Sequence, residues 1–182
     1  AAAGQGMSKA VFKSGVVMQF TLPGAPAVYY GDETGVCGWT DPDSRRTYPW
    51  GRENWQLIEF YKYAIGIHTR HSACRTGSVV KLCSSSRMIA YGRFDEKDYV
   101  VVVINTAPGP QDAVLDLSVM GVKPGSDWVR IMETPESGYN VGRFPITLRD
   151  GSLLDVSVPA ISASIYRPAT PAEMQQLCVR RP

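Results

Sequence analysis

Residues 19–35 read QFTLPGAPAVYYGDETG, and they join two segments that together predict an α/β unit. The prolines of LPGAP end the preceding segment, because proline lacks the backbone N–H that a helix interior needs. The short apolar run at 27–31 then predicts a buried strand. Apolar residues spaced by three or four positions predict an amphipathic helix over residues 7–20: Met7, Ala10, Val11, Val17 and Met18.

The residues after this strand change twice in character. From Gly31 to Trp50 the chain is polar and rich in Gly, Asp, Pro and Arg, which is typical of a functional loop. Helical spacing returns from Glu53 and predicts a second helix that runs to about Arg70, so the first part of the chain has the order helix, strand, helix. Its apolar stripe consists of Leu57, Ile58, Tyr61, Ala64, Ile65 and His68.

Beyond Arg75 the apolar pattern has a period of two, which predicts an all-β region and an α+β class for the whole chain. Eight runs of this kind are GSVVKLC, RMIAYGRF, DYVVVVIN, AVLDLS, DWVRIM, FPITLRD, SLLDVSV and ISASIY. Residues 170–182 show no apolar period and are expected to form a tail or a short helix.

Composition excludes several classes of protein. The 182 residues carry 19 Lys and Arg against 17 Asp and Glu. This near balance lacks the excess of positive charge that is typical of proteins that bind nucleic acid. No apolar run approaches the about 20 residues that span a bilayer, so no membrane partner is predicted. The four cysteines show no CxxC spacing and leave the compartment open between extracellular and cytoplasmic: Cys37, Cys74, Cys83 and Cys178.

Two small clusters contain residue types that are common in reactive sites. His68, His71 and Cys74 are spaced three residues apart, so on a helix they could gather on one side as metal ligands. However, His68 continues the apolar stripe, and His71 lies near a helix end, where the helix dipole favours a positive charge. Neither a metal nor a cofactor is therefore predicted. Asp32 and Glu33 are neighbours that point to opposite faces of an extended segment. They cannot flank one bond, and we expect them to satisfy nearby backbone donors.

The loop at 39–50 has the richest chemistry in the chain. Asp41 and Asp43 alternate along it, with Arg45 and Arg46 close behind. Neighbouring arginines lower a carboxyl pKa, whereas a catalytic acid needs a raised one. Ionised carboxylates, guanidinium donors and a flat aromatic face such as that of Trp39 suit the binding of sugar rings. A solvated, ion-paired loop is the equally weighted alternative.

Three runs carry a resemblance to a known family: QFTLPGAPAVYYGDETG at 19–35, DPDSRRTYPWGRE at 41–53 and LIEFYKYAIGIHTRH at 57–71. Together they resemble the end of the catalytic barrel in the α-amylase superfamily of glycoside hydrolases. The resemblance is greatest to the neopullulanase, cyclomaltodextrinase and amylopullulanase branch. The β-rich remainder is similar to the C-terminal β-sandwich of that family, and the match covers about residues 7–168.

The resemblance implies a division of the chain into three parts. Residues 1–74 are expected to be the end of a (β/α)8 barrel, with its seventh helix, its eighth strand at 27–31 and its eighth helix. Residues 75–169 are the antiparallel β-sandwich and 170–182 a tail. The usual Leu-Arg ending of the eighth helix is replaced by IHTRH at 67–71.

The resemblance also implies a function. The family hydrolyses α-glucosidic bonds with retention, but its Asp nucleophile, Glu acid/base and stabilising Asp belong to motifs that this chain lacks, so no catalytic residue is predicted. Asp41 and Arg45 match the family's DPDxRR pattern, in which they hold sugar hydroxyls on the non-reducing side of the scissile bond. Ser44 occupies the variable position of this pattern, where the family frequently has Cys.

We therefore predict a C-terminal fragment of an α-glucan-hydrolysing glycosidase that is inactive alone, with an α-glucan or maltooligosaccharide as its partner. The alternatives are a non-catalytic carbohydrate-binding or interaction β-sandwich, and one piece of a split enzyme that pairs with an N-terminal chain. A barrel strand without its neighbours leaves apolar faces uncovered. We expect one stripe to bury against the β domain or a second copy: Leu57, Ile58, Tyr61 and Ile65.

Overall fold

The structure is a computed structural model that describes the backbone of residues 2–179 and the side chains of residues 9–175. Its helices are α1 (Ala2–Thr21), α2 (Trp55–Arg70), α3 (Ser72–Arg75) and α4 (Pro171–Val179), with 3-10 turns at Asp32–Thr34, Asp43–Arg45 and Ser118–Met120. Its strands are β1 (Ser78–Ser84), β2 (Met88–Phe94), β3 (Tyr99–Asn105), β4 (Gln111–Asp116), β5 (Asp127–Glu133), β6 (Phe144–Thr147), β7 (Leu153–Val158) and β8 (Ser162–Pro168).

Each of the eight predicted runs overlaps one strand, and these strands form two antiparallel sheets. The larger sheet has the order β1-β2-β3-β8-β5-β6, and β4 pairs with β7 in the smaller one. Apolar side chains from both sheets pack together between them, as they do in a β-sandwich. The core between the sheets includes Val101, Val103, Trp128, Tyr166, Leu115, Leu154 and Val156.

Strand β3 is buried on both faces, which explains why its sequence is an unbroken apolar run. Successive side chains of a strand point to opposite sides. Val101 and Val103 therefore enter the core between the two sheets. Val102 and Ile104 enter a second core, which lies between the larger sheet and the helices.

Helices α1 and α2 cover the outer face of the larger sheet and form this second core with it. Two hydrogen bonds fix the position of α2. The Tyr63 hydroxyl donates to the Ile131 carbonyl at 2.9 Å, and His68 Nδ1 lies 2.9 Å from the Phe20 carbonyl oxygen. The helix begins after Asn54, whose side chain accepts the Leu57 N–H at 3.1 Å.

The buried face of α2 differs from the predicted stripe. Tyr61 is buried as expected, but Leu57 and Ile58 are only partly buried, and Ile65 is 40% exposed. The prediction is therefore wrong for Ile65, because this helix turns a different face to the sheet and α1. The buried residues of that face are Phe60, Tyr61, Ala64 and Ile67.

The residue range of α1 was predicted more accurately than the set of residues that it buries. Ala10 and Val17 are buried, but Val11 is 57% exposed, and the side chain of Met7 lies outside the described residues. The predicted stripe omitted Val16 and Phe20, which both join the core of the helices and the larger sheet.

No strand forms at 27–31, although the sequence predicts one. The segment has an irregular backbone, and Val28, Tyr29 and Tyr30 are exposed. A strand requires a neighbour to exchange backbone hydrogen bonds, and the residues described here provide none beside this segment. An apolar composition favours a strand, but a strand also needs a pairing partner.

Arg93 connects the helices to the sheet from a buried position on β2. Its side chain is 1% exposed, and it donates to three backbone carbonyls: Thr21 at 2.6 Å, Gly77 at 2.9 Å and Ser78 at 3.2 Å. Thr21 is the last residue of α1, where helix carbonyls lack partners and the helix dipole is negative. The guanidinium therefore holds the end of α1 against the start of β1.

Helix α4 follows β8 directly and shows that residues 171–179 are helical rather than an extended tail. Its first turn is a capping box: Glu173 accepts the Thr170 N–H at 2.9 Å, and Thr170 Oγ1 accepts the Glu173 N–H at 3.3 Å. Pro171 occupies the first helical position, where a missing N–H costs nothing. None of the helices in the described part of the chain has the length and apolar character needed to span a bilayer.

Candidate functional site

The long segment between α1 and α2 carries most of the predicted site residues. Gly31 begins it with φ +94°, a value that favours glycine, and a Cβ there would lie 3.0 Å from Val36 Cβ. The chain turns sharply at this position because Val36 N–H bonds back to the Gly31 carbonyl at 2.9 Å. The segment then runs over the surface to Asn54, where α2 is capped.

Glu33 has the structural role that the sequence suggested for it. Its carboxylate accepts the Gly31 N–H at 2.9 Å, which closes the same turn. Asp32 points instead to a cleft beside α1 and α2. The two carboxylates therefore do not form a catalytic pair.

Asp41 and Arg45 form a two-point ion pair on the exposed part of the loop. Arg45 Nε lies 2.7 Å from Asp41 Oδ1, and Arg45 Nη2 donates to Asp41 Oδ2 at 2.7 Å. Their side chains are 67% and 60% exposed. A pair this exposed contributes little to stability. Both groups therefore remain accessible to a ligand while each fixes the orientation of the other.

Asp43 stabilises the loop from within. Its carboxylate accepts the Trp39 N–H at 2.9 Å and pairs with Arg46 at 2.7 Å. The hydrogen bond from Arg46, together with that from the Trp39 backbone, holds the Asp43 pKa below its usual value. Asp43 is therefore ionised at neutral pH and is poorly suited to act as a general acid.

Aromatic rings lie along the same loop. Trp39 is 85% exposed and Trp50 is 80% exposed. Tyr48 packs against Trp50 with ring centroids 4.5 Å apart, a contact that the sequence did not predict. The sequence signal for it was two aromatics separated by Pro49, which is a residue that favours a turn.

His68, His71 and Cys74 do not come together as metal ligands. His68 bonds to the Phe20 carbonyl oxygen, whereas His71 Nδ1 lies 2.9 Å from an Asp98 oxygen. Cys74 is buried, and burial raises its pKa to about 12, so the thiolate is disfavoured. Among the described residues, no three His, Cys, Asp or Glu side chains are arranged to hold a metal ion.

Comparison with known proteins shows which ones this chain resembles in sequence and in fold. No protein-family model matches the chain. It is 32% identical to the amylopullulanase of Thermoanaerobacterium saccharolyticum over 82% of its length, and 32% identical to neopullulanase 2 of Thermoactinomyces vulgaris over 79%. The chain covers only 12% and 25% of those two relatives. A solved Anoxybacillus α-amylase superposes on 87% of the chain with a TM-score of 0.74 and 25% identity, and the match covers 32% of that enzyme.

In sequence and in fold, the chain thus corresponds to a C-terminal part of α-amylase-family glycoside hydrolases. Within that family its curated relatives are amylopullulanase, cyclomaltodextrinase and neopullulanase, which confirms the resemblance noted in the sequence.

Proposed function

We propose that this chain is the C-terminal part of an α-glucan-hydrolysing glycosidase. Residues 1–74 are the last helix, strand and helix of a (β/α)8 barrel, 75–169 its β-sandwich, and 170–182 a C-terminal segment that contains α4. Support comes from relatives that are α-glucan hydrolases and that match this chain over a fraction of their own length. In the whole enzyme, residues 27–31 pair with neighbouring barrel strands and become the eighth strand.

The observation that carries the proposed site is the two-point Asp41–Arg45 pair, on the same loop as the exposed Trp39 ring. A guanidinium has five N–H donors, and the pair uses two of them. Each Asp41 oxygen keeps a lone pair, so donors and acceptors lie side by side at the loop surface. Neighbouring hydroxyls of a glucose ring need this combination, and an indole face offers stacking to the ring itself.

The chain's own residues bind and orient the sugar; they do not cleave it. Retaining hydrolysis needs a general acid and a nucleophile on either side of the scissile bond. Asp43 is kept ionised by Arg46, Asp41 is held by Arg45, and Glu33 is bonded to the Gly31 backbone. We therefore assign the catalytic carboxylates to the part of the enzyme that precedes this sequence.

Binding of maltotriose to the chain, followed by ¹⁵N-resolved NMR, tests this assignment. We expect maltotriose to shift the amide signals of residues 39–46, and Arg45→Ala to weaken its binding about tenfold, the effect of losing a charge-assisted hydrogen bond. Arg149→Ala is a matched control, because Arg149, which lies between β6 and β7, forms an ion pair with Asp155 of β7 that is also about half exposed. Shifts confined to residues 78–168 would instead favour a carbohydrate-binding β-sandwich.

A further inference from the structure

A cleft of about 640 Å³ lies where α1, the start of α2 and the loop after β5 meet. Three aromatic residues from these three regions line it: Phe12 on α1, Phe60 on α2 and Tyr139 on the loop. The rings of Phe60 and Tyr139 pack with centroids 5.3 Å apart. The volume is within the range of about 300–1,000 Å³ that is usual for small-molecule sites.

The polar lining of this cleft is balanced in charge. Lys9 and Lys13 contribute two positive charges, and Asp32 and Glu136 contribute two negative ones. An anion or a cation would therefore meet attraction and repulsion together. A neutral ligand with many hydroxyl groups and apolar ring faces suits such a lining, and Gln56 adds an amide donor and acceptor.

The wall of the cleft is fixed by a buried charge. Lys13 is only 7% exposed, and its Nζ donates to the Pro135 carbonyl at 2.8 Å and to the Gly138 carbonyl. These bonds hold the loop after β5 against α1. A ligand that enters the cleft therefore meets a wall that is already formed, which reduces the entropy cost of binding.

The cleft adjoins the sugar-binding loop. A second depression of about 600 Å³ is lined by Arg45, Arg46 and Arg52, and it shares two lining residues, Val36 and Cys37, with the cleft. The surface is therefore continuous from the Asp41–Arg45 pair, over Val36 and Cys37, to Tyr139.

We propose that the cleft binds further glucose units of an α-glucan chain that is anchored at the Asp41–Arg45 pair. This inference rests on the proposed function, since it takes the anchor from there. It gives the β region a direct part in substrate binding, because the loop after β5 forms one wall. A short oligosaccharide occupies only the anchor, whereas a long one reaches the cleft.

NMR titration of the whole chain with maltotriose and maltoheptaose tests the proposal. We expect maltoheptaose to shift the amides of residues 36–37, 56 and 136–139 in addition to 39–46, and maltotriose to shift only the last group. Gln56→Ala removes one polar contact, and Cys37→Trp blocks the passage between the two depressions. Each variant is expected to weaken maltoheptaose binding about fivefold and to leave maltotriose binding unchanged.

Two matched controls stand outside the cleft: Gln111→Ala on β4, and Val119→Trp at an exposed position of the 3-10 turn Ser118–Met120. Both should bind maltoheptaose normally. If Arg45→Ala weakens both sugars while Gln56→Ala and Cys37→Trp change neither, the cleft proposal is overturned and the proposed function stands. If the unaltered chain binds neither sugar, both proposals fail. Cleft signals that shift with protein concentration rather than with sugar would identify a second copy as the occupant and overturn the cleft proposal.

Discussion

Arg93 is a single residue on which two parts of the chain depend. Its three carbonyl partners belong to the last residue of α1, to Gly77 and to the first residue of β1, and all three lose a donor if the guanidinium is removed. We expect Arg93→Met to lower the free energy of unfolding by about 3 kcal/mol, because buried acceptors without donors are costly. Urea unfolding measures this, with the exposed Arg87→Met as the control. A loss below about 1 kcal/mol would show that water replaces the guanidinium.

Arg45 permits a sharper prediction in a longer enzyme that includes the preceding sequence. The contacts that we propose between Arg45 and remote sugar hydroxyls would form in the ground state and in the transition state alike, so their loss would be a loss of uniform binding. Arg45→Ala should raise KM for a long maltooligosaccharide roughly ten- to a hundredfold, or about 1.5–3 kcal/mol, and change kcat far less. Steady-state kinetics of Arg45→Ala with a long and a short maltooligosaccharide measures this, because only the long substrate extends from the scissile bond to a remote subsite. An equal rise in KM for both substrates would contradict a remote subsite.

Residue types in the loop were readable from the sequence, but their pairing was not. Asp41 and Asp43 each have two arginines within five positions, and only the loop geometry assigns Arg45 to the first and Arg46 to the second. Exposed polar loops have no apolar period, so their geometry depends on local hydrogen bonds such as that from Trp39 N–H to Asp43. The assignment of Trp39, Asp41 and Arg45 to sugar binding remains a prediction.

Among the elements, α2 shows how a helix can be predicted in extent and misjudged in orientation. The range predicted from periodicity, from Glu53 to about Arg70, contains the observed Trp55–Arg70. Its apolar residues occupy more than one face, and periodicity alone could not tell which face meets the sheet. The same limit applies to 27–31, where an apolar run has no neighbour among the described residues.

The orientation of α2 can be checked with a pair of isoleucines. Ile67 is 1% exposed and lies in the core of the helices and the larger sheet, whereas Ile65 is largely outside it. Ile67→Ala should cost about 2–4 kcal/mol of unfolding free energy, since it removes buried methylenes and leaves a cavity. Ile65→Ala should cost less than about 1 kcal/mol. Thermal or urea unfolding of both variants provides the comparison, and equal losses would refute the observed orientation.

Helix α4 depends on one carboxylate. The hydrogen bond from Arg167, aided by the Thr170 N–H and opposed by partial burial, lowers the pKa of Glu173 to about 2. A group with a lowered pKa stabilises the fold above its usual pKa of 4.5, and this contribution is lost as the pH falls from there through about 2. The capping box Thr-Pro-Ala-Glu at 170–173 was the sequence signal for this helix.

Amide exchange in α4 therefore depends on pH. We expect the protection of residues 174–179, relative to intrinsic exchange rates, to fall between pH 4.5 and 2 in the unaltered chain. Glu173→Gln should give lower protection at pH 7 and a flatter profile, because it removes the titrating charge. A variant profile parallel to that of the parent would show that another group governs the helix.

At the scale of the whole molecule, we expect no hydrolysis by this chain alone. Neither the Asp32–Glu33 pair nor the Asp41–Asp43 pair provides an acid and a nucleophile on opposite sides of a bond. Incubation with pullulan, starch or cyclodextrins should therefore release no reducing sugar above a heat-inactivated control. Release that disappears with Asp41→Asn would place a catalytic carboxylate within this sequence and refute the assignment.

The strand content of the molecule was predictable because short apolar runs bounded by turn residues are a local signal, and each of the eight runs overlaps a strand. Packing of α2 against the β region was one of two expected arrangements, but the sequence did not indicate which sheet face the helices cover, because that depends on how the strands pair. DYVVVVIN contained a clue: an apolar run without alternation predicts a strand covered on both sides.

Strand β3, which is buried on both faces, limits where this protein can be divided and recombined with its relatives. A splice placed near residue 75 would deliver the β region as a cassette whose central strand carries Val100, Val102 and Ile104 on a bare surface. Such a graft would need a host that supplies a matching pair of helices, or polar substitutions at those positions, to avoid aggregation. In chimeras with its relatives, residues 9–168 should therefore be exchanged as a single segment.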